Sequence, residues 1–238
     1  MKLVIISGGS RGLGAALFAE FSTKQFTLVE FSRSAPHSYS VPCDFSDPTQ
    51  VQTVVAKALQ PLISQAWEEI VVINNAGTLF PMGATQQKET ADILKNIQVN
   101  FSSSIVFITE ALKAFQAHPC KKTVVNISSG AAAKGYAGWS LYCAAKAGLE
   151  NFIRAIAIEQ QLQKSPFTAI NIVPGIIDTQ MQESIRAASL TDFPTRARFE
   201  QFKESGALSS PQKVASAVLK ILASNPQSGE RFDVANFF

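Results

Sequence analysis

A doubly wound α/β domain, a single parallel sheet with helices on both faces, is the fold this sequence predicts. Three observations carry the expectation. Strand-like and helix-like segments alternate along the whole 238 residues. The strand-like runs are almost continuously apolar and β-branched, as strands covered on both faces are. A glycine-rich turn follows the first run directly and opens a helix. The length is ordinary for one α/β domain, and 46% hydrophobic against 16% charged residues suits a packed chain rather than a disordered one. No repeat, linker or low-complexity tract interrupts residues 1–238, which are read as one domain.

The elements follow in order. Leu3–Ile6 reads as the first strand and Leu13–Thr23 as the first helix. Phe26–Phe31 is the second strand. The connection after it, Arg33 to Ser38, is too short for a crossover helix and contains Pro36, so a short, weak strand at Tyr39–Cys43 is expected next. A helix over Pro48–Ser64 leads to a strand at Ile70–Ile73, and a long helix over Asp92–Gln116 leads to one at Thr123–Ile127. A helix over Leu141–Gln163 precedes the strand Ala169–Val173, and a helix over Pro211–Ala223 precedes a possible last strand at Arg231–Val234. Residues 176–210 have weak periodicity, mixed charge and Pro194. They read as a partly helical excursion on the side where such sheets bind ligands, a substrate lid or else a surface decoration.

Composition excludes several classes. A net charge of +3 without a Lys/Arg run gives no nucleic-acid surface. The apolar start Leu3–Ile6 is too short for a signal-peptide core and no later stretch is apolar enough to span a bilayer, so no membrane partner and a cytoplasmic location are expected. Cys43, Cys120 and Cys143 are odd in number and lack metal-ligand spacing, so they read as free thiols and no metal is expected.

The turn Ser7-Gly8-Gly9-Ser10-Arg11-Gly12-Leu13-Gly14 sits between the first strand and the first helix. Glycines at 8, 12 and 14 permit a tight turn, close approach of backbone to a pyrophosphate and close helix–strand packing, and the helix N-terminus faces the anion with free amides. This is the nucleotide end of a Rossmann fold. Where the second strand ends, Ser32 occupies the place of a ribose-binding carboxylate and Arg33 follows it. With Arg11 in the turn, two guanidiniums surround a position without an acid, which suits the 2′-phosphate of NADP(H). Glu30 is the alternative: a strand ending two residues earlier would put a carboxylate there and favour NAD.

Tyr142 and Lys146 are four residues apart, so a helix brings both to one face. An ammonium beside a phenol favours the phenolate and draws its pKa down from about 10. That makes a proton donor and acceptor suited to carbonyl–alcohol chemistry with a nicotinamide. Leu141, Ala145, Leu149, Phe152, Ile153 and Ile156 form an apolar stripe that Tyr142 and Lys146 border, while Glu150 and Arg154 are expected as an exposed i,i+4 pair.

These residues carry a resemblance. Gly8-x3-Gly12-x-Gly14, Asn74-Asn75-Ala76-Gly77, Ser129 placed 13 residues before Tyr142, Tyr142-x3-Lys146 and Pro174-Gly175 stand in the order of the short-chain dehydrogenase/reductase family. Thr123 to Ser129, Gly138 to Cys143 and Pro174 to Thr179 are similar to the branch that contains sepiapterin and benzil reductases. The resemblance covers nearly the whole chain. It implies Ser129, Tyr142, Lys146 and Asn100 as the catalytic set, with Asn100 tying the lysine to a water chain or, alternatively, only interrupting a long helix.

It further implies adenine contacts at Asp44 and Phe45, ribose contacts at Asn75, Ala76 and Gly77, and nicotinamide contacts along Pro174, Gly175, Ile177 and Thr179. Asp44 and Thr179 are alternatively read as helix caps. Trp139 and Asp233 are substrate candidates, Asp233 matching an acid that holds a pterin guanidine in the resembling branch. Trp139 and Phe193 serve equally as core, and Asp233 as a solvent-facing charge. The implied substrate is a small carbonyl compound, a pterin side-chain ketone or other vicinal dicarbonyl. The implied assembly is a homodimer, with a tetramer as the larger alternative, packed through the two long helices. A nucleotide-sensing regulator on the same fold is the non-enzymatic alternative, against which the presence of both Tyr142 and Lys146 counts.

Overall fold

The computed structural model describes residues 1–238. Seven parallel strands form one sheet: β1 (Lys2–Ser7), β2 (Phe26–Ser32), β3 (Ser40–Pro42), β4 (Glu69–Asn74), β5 (Lys121–Ile127), β6 (Thr168–Val173) and β7 (Arg231–Asp233). Their spatial order is β3-β2-β1-β4-β5-β6-β7. The helices are α1 (Gly12–Thr23), α2 (Pro48–Leu59), α3 (Thr90–Ile97), α4 (Ser103–Phe115), α5 (Ser140–Gln160), α6 (Gln180–Ala187), α7 (Arg196–Glu204) and α8 (Pro211–Ala223).

The alternation of side chains along each strand divides the core in two. Leu3 and Ile5 face one side, with Val72, Val124 and Ala169, and pack against α2, α4 and α5. Val4 and Ile6 face the other, with Ile73, Val125 and Ile172, and pack against α1 and α8. Both faces of every central strand are therefore buried, which is why the strand sequences carry no polar alternation. Two helix starts are written into the chain. Asp47 accepts from the amides of Thr49 and Gln50 with Pro48 behind it, and Ser210 accepts from the Lys213 amide with Pro211 behind it.

Strand order reverses at β1, which is flanked by β2 and β4. A crevice forms above such a reversal at the C-terminal strand ends. The connection from β2 to β3 contains no helix, in keeping with its length. Two of the helices depart from the sequence reading. The second helix stops at Leu59 and gives way to a 3₁₀ turn over Gln60–Leu62, where Pro61 sits. The helix expected over Asp92–Gln116 is broken by a π turn at Gln98–Ser102, between α3 and α4. The excursion after β6 folds as α6 and α7, its two ends joined by a bridge between Ile177 and Ser209.

Candidate active site

The glycine turn leaves β1 at the reversal point. Gly14 sits so close to the preceding backbone that a β-carbon there would lie 2.1 Å from the Gly8 carbonyl oxygen. Arg11 takes the N-cap position of α1 in an extended conformation, no side chain caps the helix, and no acid lies in its first turn. The first amides of α1 are thus uncommitted to a cap, an arrangement that fits a pyrophosphate. Ser7 links the turn to its neighbour: its hydroxyl accepts from the amides of Asn75 and Ala76 at 3.0 and 3.1 Å. The Asn75 side-chain amide in turn donates to the Gly8 carbonyl at 2.9 Å. Asn75, Ala76 and Gly77 therefore stand beside the turn, as expected. Ser10 is half-buried in it, and Leu13 places its side chain in the core.

β2 runs through Ser32, so Glu30 does not end it. Arg33 follows, exposed and in no ion pair, and lines a cavity of about 320 Å³ with Pro42, Cys43, Asp44 and Gln50. Asp44 does not cap α2, since Asp47 does; its carboxylate accepts from the Ser46 amide at 2.9 Å. The Phe45 ring packs into the core near Phe107. Arg11 does not turn toward this cavity. Its guanidinium donates to the side-chain oxygen of Gln180, at the start of α6. Thr179 stands across from the turn, its methyl 3.3 Å from where a Gly12 β-carbon would be, and its hydroxyl makes no helix cap. Pro174, Gly175 and Ile177 lead from β6 to that point, so residues of the turn and of the excursion face each other across the crevice.

The second half of the site is built where β5 meets α5. After β5, Ser128 and Ser129 point differently. Ser128 is buried and donates to a Glu150 carboxylate oxygen at 2.6 Å. Ser129 is half-buried, and its hydroxyl accepts from the Ala131 amide at 3.1 Å. Tyr142 and Lys146 lie one turn apart on α5, 7% and 4% exposed. The Lys146 ammonium donates to the Ile127 carbonyl at 2.7 Å and lies 5.7 Å from the centre of the Tyr142 ring.

Burial dominates the titration of both groups. It pushes the Tyr142 phenol up to about 12, against hydrogen bonding by the Ser129 hydroxyl, which pulls down. It pushes the Lys146 ammonium down to about 8, against the Glu150 carboxylate, which pulls up. The expectation that the ammonium would draw the phenol below its ordinary value is thus corrected: burial raises it instead.

Asn100 occupies the π turn. Its side chain accepts from the Thr78 amide at 2.8 Å and donates to the Thr78 carbonyl and the Asn96 side chain, both at 2.9 Å. It clamps the loop that follows Asn75–Gly77 and has no direct bond to Lys146. A one-residue widening of the helix, frequent at functional sites, is what turns it inward.

An aromatic wall completes the site. Trp139 stacks on Phe193 at 4.5 Å and meets Phe199 and Tyr136 at 5.5 and 5.2 Å, with the edge of Tyr142 at 6.0 Å. Ile185, Ala188, Phe193 and Phe199 come from the excursion and pack in one cluster with Tyr142 and Trp139. Gly138 makes the junction possible, since a β-carbon there would lie 2.2 Å from the Asp192 carbonyl oxygen. Asp233 lies at the exposed end of β7, and its carboxylate accepts from the Ala235 amide at 2.9 Å.

Several residues of the site's support were missed. Ser7, Asn74, Asn126 and Asn171 stand in register across β1, β4, β5 and β6, all fully buried. Their side chains form a hydrogen-bonded row of 3.3, 3.0 and 2.9 Å that ends on the Glu150 backbone carbonyl. The signal was a polar residue inside two apolar runs, Asn126 and Asn171, and one directly after two others, Ser7 and Asn74. Glu150, expected on the surface, is 3% exposed and binds Ser128, Arg154 and Arg231.

A parallel sheet reversing above a glycine turn, with a serine, a tyrosine and a lysine converging beside it, defines a dinucleotide-dependent oxidoreductase class. The short chain dehydrogenase family model matches residues 2–190, and the chain belongs to that family. It is similar to the benzil reductase ((S)-benzoin forming) of Bacillus subtilis (strain 168), 33% identical over 242 residues that cover all of both chains. It is similar also to the sepiapterin reductase of Rattus norvegicus, 30% identical over 252 residues covering 96% of this chain and 94% of the relative. Among solved structures, the aldohexose dehydrogenase of Thermoplasma acidophilum superposes with a TM-score of 0.81 at 24% identity, covering 98% of this chain and 92% of that one. No helix is long and apolar enough to cross a membrane.

Proposed function

We propose that the protein is an NADPH-dependent carbonyl reductase whose substrate is a vicinal dicarbonyl or a pterin side-chain ketone. The observation that carries the reading is the burial of Tyr142 and Lys146 on one face of α5, beside Ser129 and against an aromatic wall. A bound nicotinamide supplies the hydride. Tyr142 donates the proton that the developing alkoxide takes up, the Ser129 hydroxyl orients the carbonyl oxygen, and Lys146 stabilises the phenolate that is left. Solvent then reprotonates the phenolate. Asn100 holds the loop carrying Asn75, Ala76 and Gly77 in place for the ribose.

Preference for NADPH is supported by Ser32 at the end of β2 and by the unpaired Arg33 at the mouth of the adjoining cavity. The substrate class is supported by the stacked Trp139 and Phe193, which suit a flat conjugated compound, and by the names of the relatives. Residues 176–210 serve as the lid, and Arg11 with Gln180 joins it to the turn. Exposed Ile158 near the end of α5 and Leu162 just beyond it, with Leu94 and Ile97 on α3, support a homodimer; a monomer by light scattering at micromolar concentration would contradict that part.

The deciding experiment is NADPH consumption with benzil, sepiapterin, simple ketones and an acyl thioester. Turnover of the diketone or pterin above the others is expected. A preference for the thioester would assign another substrate class, and no turnover of any would return the chain to a nucleotide-sensing role.

A further inference from the structure

Glu30 has no part in the site as described so far. It lies within β2, paired in register with Ile6 on one side and Ser40 on the other, and is 0% exposed. One carboxylate oxygen accepts from the Gly9 amide at 2.9 Å, and the other, equally buried, has no partner. The side chain is pressed against the glycine turn: a β-carbon at position 9 would lie 2.4 Å from the Glu30 Cγ. A buried carboxylate with an unfilled oxygen is costly where an apolar residue would fit the strand. Its one bond goes to the phosphate-facing turn.

Position matters as much as bonding. Glu30 falls 22 residues after Gly8 (30 − 8), close to where dinucleotide-binding sheets place a ribose-binding acid. Here the strand continues for two more residues, so the carboxylate lies under the turn and not at its mouth. The Tyr39 phenol nearby is raised first by burial and then by the Glu30 charge.

We propose that Glu30 is a positioning residue. By holding the Gly9 amide from beneath, it fixes the turn so that the following amides stay aimed at a pyrophosphate. The inference rests on the reading of the chain as a dinucleotide-dependent reductase. Because the pyrophosphate is common to both nicotinamide dinucleotides, a strut acts on NADPH and NADH alike, whereas a ribose-reading acid discriminates between them.

The test compares Glu30→Gln, which keeps an acceptor for Gly9, with Glu30→Met, which keeps the volume and removes it. Dissociation constants for NADPH and NADH are measured by titration, and hydrogen exchange at the Gly9 amide is followed on the protein without dinucleotide. The Gln variant is expected to bind both dinucleotides at least as tightly as the parent. The Met variant is expected to bind both about tenfold or more weakly, the equivalent of one hydrogen bond, with their ratio unchanged and kcat at saturation preserved. Gly9 exchange should be slow in the parent and the Gln variant and fast in the Met variant.

Equal binding by parent and Met variant, or a change confined to one dinucleotide, would overturn the strut. If the parent bound neither dinucleotide, the reductase reading would fall, and Gly9 exchange alone would then decide whether Glu30 holds the turn.

Discussion

Replacing Glu150 by Gln should move the alkaline limb of the reductase pH profile downward. The carboxylate lies one helical turn beyond Lys146 and pulls the ammonium's pKa up; side chains at that spacing stand about 6 Å apart. At an effective dielectric of about 20, two unit charges at that distance interact by about 2.8 kcal/mol, or roughly two pKa units. Arg154 and Arg231 sit on the same carboxylate at 3.2 and 2.9 Å and share its field. An effect of about one unit remains.

The sign follows from the chemistry. Lys146 acts as a cation, so kcat/KM is high below its pKa near 8 and falls as pH rises through it. Without the negative neighbour the ammonium loses its proton earlier. Glutamine keeps an acceptor for the Ser128 hydroxyl, so the geometry of the strand end is preserved. The assay is NADPH absorbance with saturating cofactor and limiting carbonyl, from about pH 6 to 10. An unmoved limb, or a rate that climbs through pH 8, would refute the reasoning.

Tyr142→Phe removes the proton donor without changing the cavity, so kcat should drop by roughly 10² or more while NADPH titrates as before. Arg33→Ala should raise KM for NADPH about tenfold or more and leave KM for NADH in place; equal effects on both would remove the 2′-phosphate assignment. Lys146→Met should abolish turnover yet stabilise the fold by about 1–3 kcal/mol in denaturant unfolding. The folded ammonium titrates near 8 against an ordinary 10.5, so its destabilising effect is fully present below pH 8 and fades as pH rises from 8 to 10.5. The gain from the substitution should shrink over the same window. Asp47→Ala removes the acceptor of two amides at the start of α2 and should cost about 1 kcal/mol, read as a shift in the denaturant midpoint at constant slope.

Legibility in the sequence divided along physical lines. The sheet, the glycine turn and the Tyr142–Lys146 spacing were readable because each rests on local periodicity or on a conformation that only glycine permits. What escaped depended on partners distant in sequence or on a change of period. A π turn adds one residue to a helix that keeps its apolar face, so Asp92–Gln116 still looked continuous while Asn100 had been turned inward. Glu150 with Arg154 has the spacing of a surface ion pair. Its burial is enforced by Ser128, just after β5, and by Arg231, 81 residues away. The reach of Arg11 toward Gln180 was invisible for the same reason, since a long side chain at a turn has two directions and only the fold of residues 176–210 chooses between them.

The titration of Tyr142 bears on the direction of the reaction. A phenol held near 12 is fully protonated at neutral pH and is therefore an acid waiting for an acceptor. Carbonyl reduction creates that acceptor, because an alkoxide is far more basic than the phenolate and takes the proton downhill. Alcohol oxidation needs the opposite, a phenolate ready in advance, which burial opposes. Lys146 changes the balance only after the proton has moved, when its charge lies beside the new anion; its stabilisation belongs to the transition state more than to the resting site. Reduction should accordingly proceed across the neutral range, and oxidation of the product alcohol should become measurable only as pH rises toward the phenol's range. Oxidation already at full rate near pH 7 would mean that the phenol is not buried as described.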